Sequence, residues 1–152
     1  MTTQRETAEI DVLLVEDSPG DVRLTREAFR EANGAVRLHV ASDGVEAMAF
    51  LRRGPDYPDA PRPDFILLDL NLPKMDGREV LALIKADADL RTIPTVILTT
   101  SESDADILTS YQLNANAYLR KPVTLEAFEN LVRSINDFWL TKVLLPQPRR
   151  AS

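Results

Sequence analysis

The sequence predicts an α/β fold in which a doubly wound parallel sheet carries helices on both faces. Five short apolar, β-branched-rich segments alternate along the chain with five segments of helical spacing. The strand segments scarcely alternate between apolar and polar residues, which is typical of strands buried on both faces. The chain has 152 residues, 44% hydrophobic and 28% charged, the length and composition of about one globular domain.

The first strand and helix are predicted from residues 10–15 and from the turn after them. Residues 10–15 are an apolar run interrupted by a single acid. Ser18 can cap the following helix, Pro19 suits its first position, and Asp21 occupies the acidic position of a capping box. Asn33-Gly34 predicts the end of this helix.

Four further strand and helix pairs repeat this rhythm. The remaining predicted strands are residues 36–41, 65–70, 95–99 and 117–120. Each helix after them begins with a side chain that can cap the first turn. These helix starts are Asp43-Gly44, Asp76, Ser103 and Thr124. The proline-rich residues 54–63 interrupt the alternation and predict an irregular loop.

Composition excludes several classes of function. The chain has no cysteine, which excludes disulfides, thiol nucleophiles and cysteine-ligated metal sites. The single histidine, His39, is interpreted as structural or surface-exposed. A net charge of −6 argues against nucleic acid binding. No apolar run is long enough to span a membrane and the N-terminus lacks a signal segment, so the expected compartment is the cytoplasm.

We expect three regions along the chain. They are a disordered N-terminus (1–9), a folded domain (10–139) and a C-terminal extension (140–152) that takes part in a dimer and is then disordered. Phe138, Trp139 and Leu140 are the expected dimer interface, because exposed aromatic patches commonly mark such contacts. Leu145 has no predicted core to join. The alternative is that this apolar tail folds back on its own domain.

Polar residues follow the predicted strands at their carboxyl ends, where a doubly wound sheet places its functional crevice. In chain order they are Glu16, Asp17, Asp69, Thr99, Thr100 and Lys121. Clustered carboxylates repel one another unless a cation is present. Because no set of histidine or cysteine ligands exists, the fitting ion is Mg²⁺ or Mn²⁺.

This set of groups predicts phosphoryl chemistry. A carboxylate can attack phosphorus and form an aspartyl phosphate. The metal ion neutralises one side of the phosphoryl group, Lys121 can neutralise another, and a threonine hydroxyl can donate to a phosphoryl oxygen.

The motifs of the chain resemble those of bacterial response-regulator receiver domains over residues 10–136. The matching segments are VLLVEDSPGDVRL (12–24), ILLDLNLPKMDGREVL (66–81), IPTVILTTSE (93–102) and NAYLRKPV (116–123). The resemblance implies a flavodoxin-like sheet with strand order 2-1-3-4-5. It also implies a phosphoacceptor that a histidine kinase switches, with no turnover of an external substrate.

The resemblance implies a role for each matching residue. Asp69 is the phosphoacceptor. The metal ligands are Glu16, Asp17, Asp69 and the backbone carbonyl of Asn71. The phosphate-contacting and switch residues are Thr99, Thr100, Lys121 and Tyr118. The structural residues are Gly77, which opens the third helix, and Pro122, which a cis peptide bond commonly precedes in the family.

A closer resemblance concerns the partners. The segments YPDAPRPD, LNLPK and INDFWLTKVLLP are similar to those of response regulators that partner phytochrome-type sensor histidine kinases. The implied partners are a sensor histidine kinase of the bacteriophytochrome type, a downstream phosphotransfer protein and a second copy of the chain. We expect no DNA-binding output domain, because only about 16 residues follow position 136 in this sequence.

Three alternatives stay open. A phosphatase of the haloacid-dehalogenase type also uses an aspartate nucleophile and Mg²⁺, but it needs a second aspartate where this chain has Asn71. A degenerate receiver that serves only as a scaffold is disfavoured by the intact acids and Lys121. A flavodoxin needs a phosphate-binding loop after the first strand, where this chain has the acidic segment EDSPGD.

Overall fold

The structure, a computed structural model, describes residues 9–31, 36–139 and 145–146. Several predictions concern residues outside these ranges. They are the disordered N-terminus (1–9, of which only residue 9 is described), the helix end at Asn33-Gly34, the interface role of Leu140, and the C-terminal extension (140–152) apart from residues 145–146. Within the described ranges, no helix has the length and apolar character needed to cross a membrane.

The described residues form five parallel strands that alternate with five helices, as predicted. The strands are β1 (Ile10–Val15), β2 (Val36–Ala41), β3 (Phe65–Leu68), β4 (Thr95–Thr99) and β5 (Ala117–Arg120). The helices are α1 (Pro19–Glu31), α2 (Gly44–Leu51), α3 (Gly77–Ala86), α4 (Asp104–Gln112) and α5 (Leu125–Trp139), with a 3₁₀ turn at Leu90–Thr92. The strand order is β2-β1-β3-β4-β5, which confirms the predicted fold class.

Two apolar layers cover the two faces of the sheet. Leu13 and Val15 of β1 pack in the layer that contains α2 and α3, whereas Val12 and Leu14 pack in the layer that contains α1 and α5. Every residue of β3 is buried, which explains its unbroken apolar run. All five strands run the same way, so their carboxyl ends meet at one edge of the sheet.

Side-chain caps start the helices where the sequence predicted them. The cap of α2, Asp43, accepts from the Glu46 N–H at 2.7 Å. The other predicted caps also accept backbone N–H groups of the first turn: Asp76 from Arg78, Ser103 from Asp106 and Thr124 from Ala127. These bonds satisfy orphan donors at helix ends that lie beside the functional edge.

Strand β3 ends at Leu68, two residues earlier than predicted. Asp69 still donates its N–H to the Val15 carbonyl at 3.0 Å, but Leu70 leaves the sheet. The Leu70 carbonyl instead accepts from the Gly77 N–H at 2.9 Å, so the chain turns here to start α3. The apolar residue Leu70 therefore fills the core beside the strand and does not extend it.

The expectation of a cis bond before Pro122 is wrong, since no peptide bond among the described residues is cis. The two isomers of an X–Pro amide lie close in free energy, so the local sequence alone does not decide between them.

The prediction that Leu145 has no core to join is also wrong. Leu145 is buried in the apolar layer formed with α1 and α5. Burying a leucine side chain stabilises a fold by about 2 kcal/mol, which explains why this residue joins the domain's own core.

Candidate functional site

Three carboxylates meet at the carboxyl edge of the sheet. Strands β1 and β3 are neighbours, with Val15 paired to Leu68, so the residues after them lie side by side. Glu16, Asp17 and Asp69 each offer one oxygen, and these oxygens all lie within 4.8 Å of one another. Glu16 and Asp69 are buried, whereas Asp17 is exposed to solvent.

Lys121 brings an ammonium into the middle of these acids. Its Nζ donates to Asp69 Oδ2 at 3.2 Å, to Asp21 Oδ2 at 3.0 Å and to Glu16 Oε1. The backbone positions the side chain, because the Lys121 N–H continues the ladder to the Thr99 carbonyl at 2.7 Å. With its side chain only 7% exposed, Lys121 is held as a fixed charge and not as a mobile surface lysine.

The electrostatics of the site are those of excess negative charge. Burial alone would lower the pKa of Lys121, but the Glu16 hydrogen bond and the charges of Asp69 and Glu16 outweigh it and raise that pKa well above its ordinary value. Burial raises the pKa of Glu16 despite the lysine, and the charge of Asp69 raises it further. One ammonium shared among several acids does not compensate all of them.

Asp21 is the functional-edge residue that the sequence analysis missed. The sequence analysis interpreted Asp21 as half of a capping box. One bond of that motif is present, because the Asp21 N–H donates to Ser18 Oγ at 3.3 Å. The reciprocal bond is made by another acid, since the Ser18 N–H donates to Glu16 Oε2 at 3.0 Å. The Asp21 carboxylate is thereby free to pair with Lys121. Its position one turn after Glu16 and Asp17 was the available signal.

Thr99 ends β4 in full burial, and its hydroxyl oxygen has no hydrogen-bond partner. A buried hydroxyl without a partner costs about 1–3 kcal/mol of desolvation, so such a group is uncommon unless an acceptor arrives later. The neighbouring Thr100 is exposed. The two threonines therefore differ in burial, and only Thr99 is enclosed at the carboxyl edge of the sheet.

Gly77 allows α3 to start directly against the backbone of Asp69. A Cβ at this position would lie 2.1 Å from the Asp69 carbonyl oxygen and 2.6 Å from Leu70 Cα. Only glycine fits this approach without a shift of the backbone. The Asp69 carboxylate is oriented locally by the Asn71 N–H, which lies 3.4 Å from Oδ1.

Tyr118 lies on β5 at the side of the site. Its hydroxyl donates to the Ser101 carbonyl at 2.9 Å, in the loop that joins β4 to α4. Its ring is partly buried against the layer that contains α2 and α3. The tyrosine therefore reports on the position of the β4–α4 loop.

The donor set fits a hard divalent cation. The clustered ligands of Glu16, Asp17 and Asp69 are all oxygens, two of them buried, and together they carry more negative charge than Lys121 offsets. Mg²⁺ and Mn²⁺ prefer such ligands, and the exposure of Asp17 leaves an open side from which an ion and a phosphoryl group can enter. A cleft of about 340 Å³ also borders Glu16 and Asp17, but its other lining residues belong to α1, β2 and Ser42, and it reaches neither Asp69 nor Lys121.

His39 has a structural place, as predicted. Its Nε2 lies 2.9 Å from Asp11 Oδ1, at the opposite end of β1 from the acid cluster. Arg37 also donates to Asp11 through Nε and Nη2, at 2.9 and 3.0 Å. The ring of His39 lies 5.4 Å from that of Phe50, tilted by 43°. This cluster joins β1 to the edge strand β2.

Several known proteins are similar to this chain. The sequence profile of the response regulator receiver domain matches residues 12–133. The chain belongs to the response-regulator receiver family. It is 49% identical over 135 residues to the response regulator Rcp1 of Synechocystis sp. (strain PCC 6803). The matched residues make up 89% of this chain and 92% of that protein.

Solved structures are similar over nearly their whole length. The Mn²⁺-bound form of Rcp1 has a TM-score of 0.88 at 48% identity and covers 91% of this chain and 99% of its own. The phosphorylated cyanobacterial phytochrome response regulator RcpA has a TM-score of 0.90 at 46% identity, covering 92% of this chain and all of its own. The bacteriophytochrome response regulator AtBRR has a TM-score of 0.72 at 40% identity and covers 91% of this chain and 99% of its own.

Proposed function

We propose that this receiver domain is the phosphoacceptor of a two-component system and that Asp69 takes a phosphoryl group from a phosphohistidine of a sensor kinase. The observation that carries the proposal is the pairing of the buried Asp69 carboxylate with the Lys121 ammonium at 3.2 Å, inside a cluster of further acids. A cytoplasmic location is part of the proposal, as is a downstream phosphotransfer protein that could receive the group in turn.

The transfer needs no general base. An Asp69 carboxylate oxygen attacks phosphorus, the P–N bond to the histidine ring breaks, and the ring nitrogen keeps the electron pair and is protonated by solvent. Lys121 donates to Asp69 before the reaction and can follow the new negative charge onto a phosphoryl oxygen. The Thr99 hydroxyl supplies another donor, because it is buried without a partner.

Glu16, Asp17 and Asp69, with the backbone carbonyl of Asn71, are the proposed ligands of Mg²⁺ or Mn²⁺. The bound ion would neutralise charge on the phosphoryl group. We propose that Asp17 binds the ion directly, because its carboxylate is exposed to solvent and forms no ion pair among the described residues. Glu16 already bonds Lys121 and the Ser18 N–H, which fits a contact with the ion through water.

The domain is proposed to be a switch and not a phosphatase that turns over an external substrate. The haloacid-dehalogenase alternative requires an acid/base carboxyl at position 71, and the amide of Asn71 cannot exchange a proton in this way. We propose that phosphorylation changes the arrangement of Thr99 and Tyr118 and thereby the binding surface of the domain.

The proposed kinase is of the phytochrome type. Support comes from the similarity to response regulators described as phytochrome or bacteriophytochrome regulators. The test is phosphotransfer from purified histidine kinases, with the ³²P-labelled phytochrome-type kinase and unrelated kinases compared at equal concentration. Transfer to the wild-type chain that is fastest from the phytochrome-type kinase and absent in Asp69→Asn supports the proposal. Transfer that shows no preference contradicts the partner, and equal labelling of Asp69→Asn contradicts the site.

A homodimer through the end of α5 is the remaining part of the proposal. Phe138 is 56% exposed at the end of α5, although phenylalanine is usually a buried residue. Trp139 is less available, because its ring packs 5.4 Å from that of Phe65 and 5.9 Å from that of Phe138. Leu145 is buried in the domain, so Phe138 is now the central proposed contact.

A further inference from the structure

Arg78 and Asp106 form an ion pair that joins two helices beside the switch residues. Arg78 is the second residue of α3, and Asp106 lies in the first turn of α4. The guanidinium makes two parallel bonds, from Nε to Oδ1 at 2.9 Å and from Nη2 to Oδ2 at 2.7 Å. Paired bonds of this kind fix orientation as well as distance. Asp76 contacts Nη1 at 3.0 Å and fixes the guanidinium from its other side.

Asp106 extends this constraint to the β4–α4 loop, residues 100–103. The Ser101 hydroxyl donates to Asp106 Oδ2 at 2.6 Å. The carbonyl of the same Ser101 accepts from the Tyr118 hydroxyl at 2.9 Å. One loop residue therefore holds the acid with its side chain and the tyrosine with its backbone.

The other end of this chain of contacts reaches the backbone of Asp69. Gly77 directly precedes Arg78, and no space for a side chain separates it from the Asp69 carbonyl. The Gly77 N–H also donates to the Leu70 carbonyl at 2.9 Å. The first turn of α3 must therefore move together with the loop that carries the proposed phosphoacceptor.

Thr99 does not hold the β4–α4 loop in this structure, because its hydroxyl has no hydrogen-bond partner. Ser101 joins the loop to Asp106 and to Tyr118. A separate, more exposed ion pair between Glu102 Oε1 and Arg120 Nη1, at 2.8 Å, joins the same loop to β5. The route from Asp69 to Tyr118 through Arg78 is thus separate from the expected route through the Thr99 hydroxyl.

We propose that the Arg78–Asp106 ion pair is a positioning element that holds the β4–α4 loop in its Tyr118-bound arrangement before any phosphoryl group is present. The inference rests on the proposed function, since it concerns the regulation of the same site. If the ion pair already favours the Tyr118-bound arrangement, phosphorylation can increase the population of that arrangement by a smaller factor.

The test follows Tyr118 in the unphosphorylated full chain by ¹⁹F NMR after incorporation of 3-fluorotyrosine. The chain has three tyrosines, and Tyr118→Phe assigns the signal. Ser101→Ala removes the hydroxyl that binds Asp106 but keeps the carbonyl that binds Tyr118. We expect Asp106→Asn and Ser101→Ala to displace the Tyr118 resonance in the same direction and to lower the population of the bound arrangement about fivefold. Asp104→Asn is the matched control, since this acid lies exposed in the same helical turn.

Arg78→Gln completes the comparison as a double-mutant cycle with Asp106→Asn. If the pair acts as a unit, the double variant displaces the Tyr118 resonance no further than either single variant. A Tyr118 resonance at the wild-type position in Ser101→Ala and Asp106→Asn overturns the proposal, and so does an equal displacement in Asp104→Asn. Because this readout uses no phosphate, it is independent of Asp69 phosphorylation, which acetyl phosphate and intact mass test separately. A wild-type chain that gains no phosphoryl mass refutes the proposed function and leaves the Tyr118 comparison intact.

Discussion

The ammonium of Lys121 lies 3.2 Å from a carboxylate oxygen of Asp69, across 52 positions of the chain. The two residues follow β5 and β3, which flank β4 in the sheet, so the parallel topology alone brings them together. Glu16 and Asp21 bind the same ammonium. The lysine is therefore already engaged by three acids before a phosphoryl group arrives, and the site keeps an excess of negative charge that favours a divalent cation.

Asp17→Asn should weaken binding of Mn²⁺ and Mg²⁺ by about tenfold, or about 1.4 kcal/mol, from a wild-type affinity in the millimolar range, on the order of −4 kcal/mol. Glu16→Gln should weaken it less, because Glu16 is engaged by Lys121 and the Ser18 N–H. Mn²⁺ binding followed by electron paramagnetic resonance measures both effects. Asp104→Asn is the control for loss of one surface acid. An Asp17→Asn protein with wild-type affinity would remove Asp17 from the metal site.

Thr99→Val should leave the unphosphorylated protein as stable as wild type or more stable by up to about 1 kcal/mol, because valine removes a buried hydroxyl that has no partner. Thr95→Val is the matched control on the same strand: its hydroxyl is equally buried but donates to the Ile93 carbonyl at 3.1 Å, so its loss should cost about 1 kcal/mol. Urea unfolding measures both. Thr99→Val should still accept phosphate and show a smaller change in partner affinity. Equal destabilisation by the two variants would contradict the free state of the Thr99 hydroxyl.

The strands and the grouping of acids could be predicted because both depend on regular patterns. Unbroken apolar runs mark strands covered on both faces, and parallel topology places the residues after them at one edge. This reasoning predicts from the sequence alone that Asp69, Glu16 and Lys121 lie close together. The end of β3 was missed because Leu70 is as apolar as the strand, and only its backbone bonds show that it leaves the sheet.

The remaining differences involve contacts between elements whose relative positions no local pattern encodes. The Arg78–Asp106 pair joins the starts of α3 and α4, and the rest of α3, the 3₁₀ turn and β4 lie between them in the chain. The hydrogen bond that Lys121 donates to Asp21 was not predicted, because the local sequence already explains Asp21 as a capping residue. Leu145 finds space in a layer whose remaining gap depends on how α1 and α5 pack.

Asp11→Asn should lower the free energy of unfolding by about 2 kcal/mol at neutral pH, since it removes the charged acceptor of Arg37 and His39. Burial alone would raise the pKa of Asp11, but these partners outweigh it and hold the pKa below its ordinary value of 3.8. The stabilisation by Asp11 is therefore fully present above pH 3.8 and is lost as the pH falls through the lower folded-state pKa.

Urea unfolding of Asp11→Asn and wild type across this range is the measurement. The difference between the two proteins should be fully present at about pH 5 and should shrink as the pH falls below about 4. Asp59→Asn, which removes an exposed acid, should differ little from wild type at any pH. A difference that grows as the pH falls below about 4 would contradict the assigned role of Asp11.

Phe138→Ala should shift the unphosphorylated protein from dimer towards monomer. Light scattering of the wild type should give about twice 17.0 kDa, since exposed aromatic side chains are common interface anchors. Leu108→Ala is the control, because Leu108 is 60% exposed on α4, away from the proposed interface. A wild-type mass near 17.0 kDa at tens of micromolar would rule out the dimer at that concentration.

Intact mass spectrometry after incubation with acetyl phosphate and Mg²⁺ tests the central role of Asp69 most directly. The wild-type chain should gain the mass of one phosphoryl group, because the Asp69 carboxylate lies beside Lys121 and the proposed metal ligands. Asp69→Asn should gain none, since an amide is a poor nucleophile, while Asp104→Asn should gain one as wild type does. Phosphorylation of Asp69→Asn at the wild-type level would contradict the account.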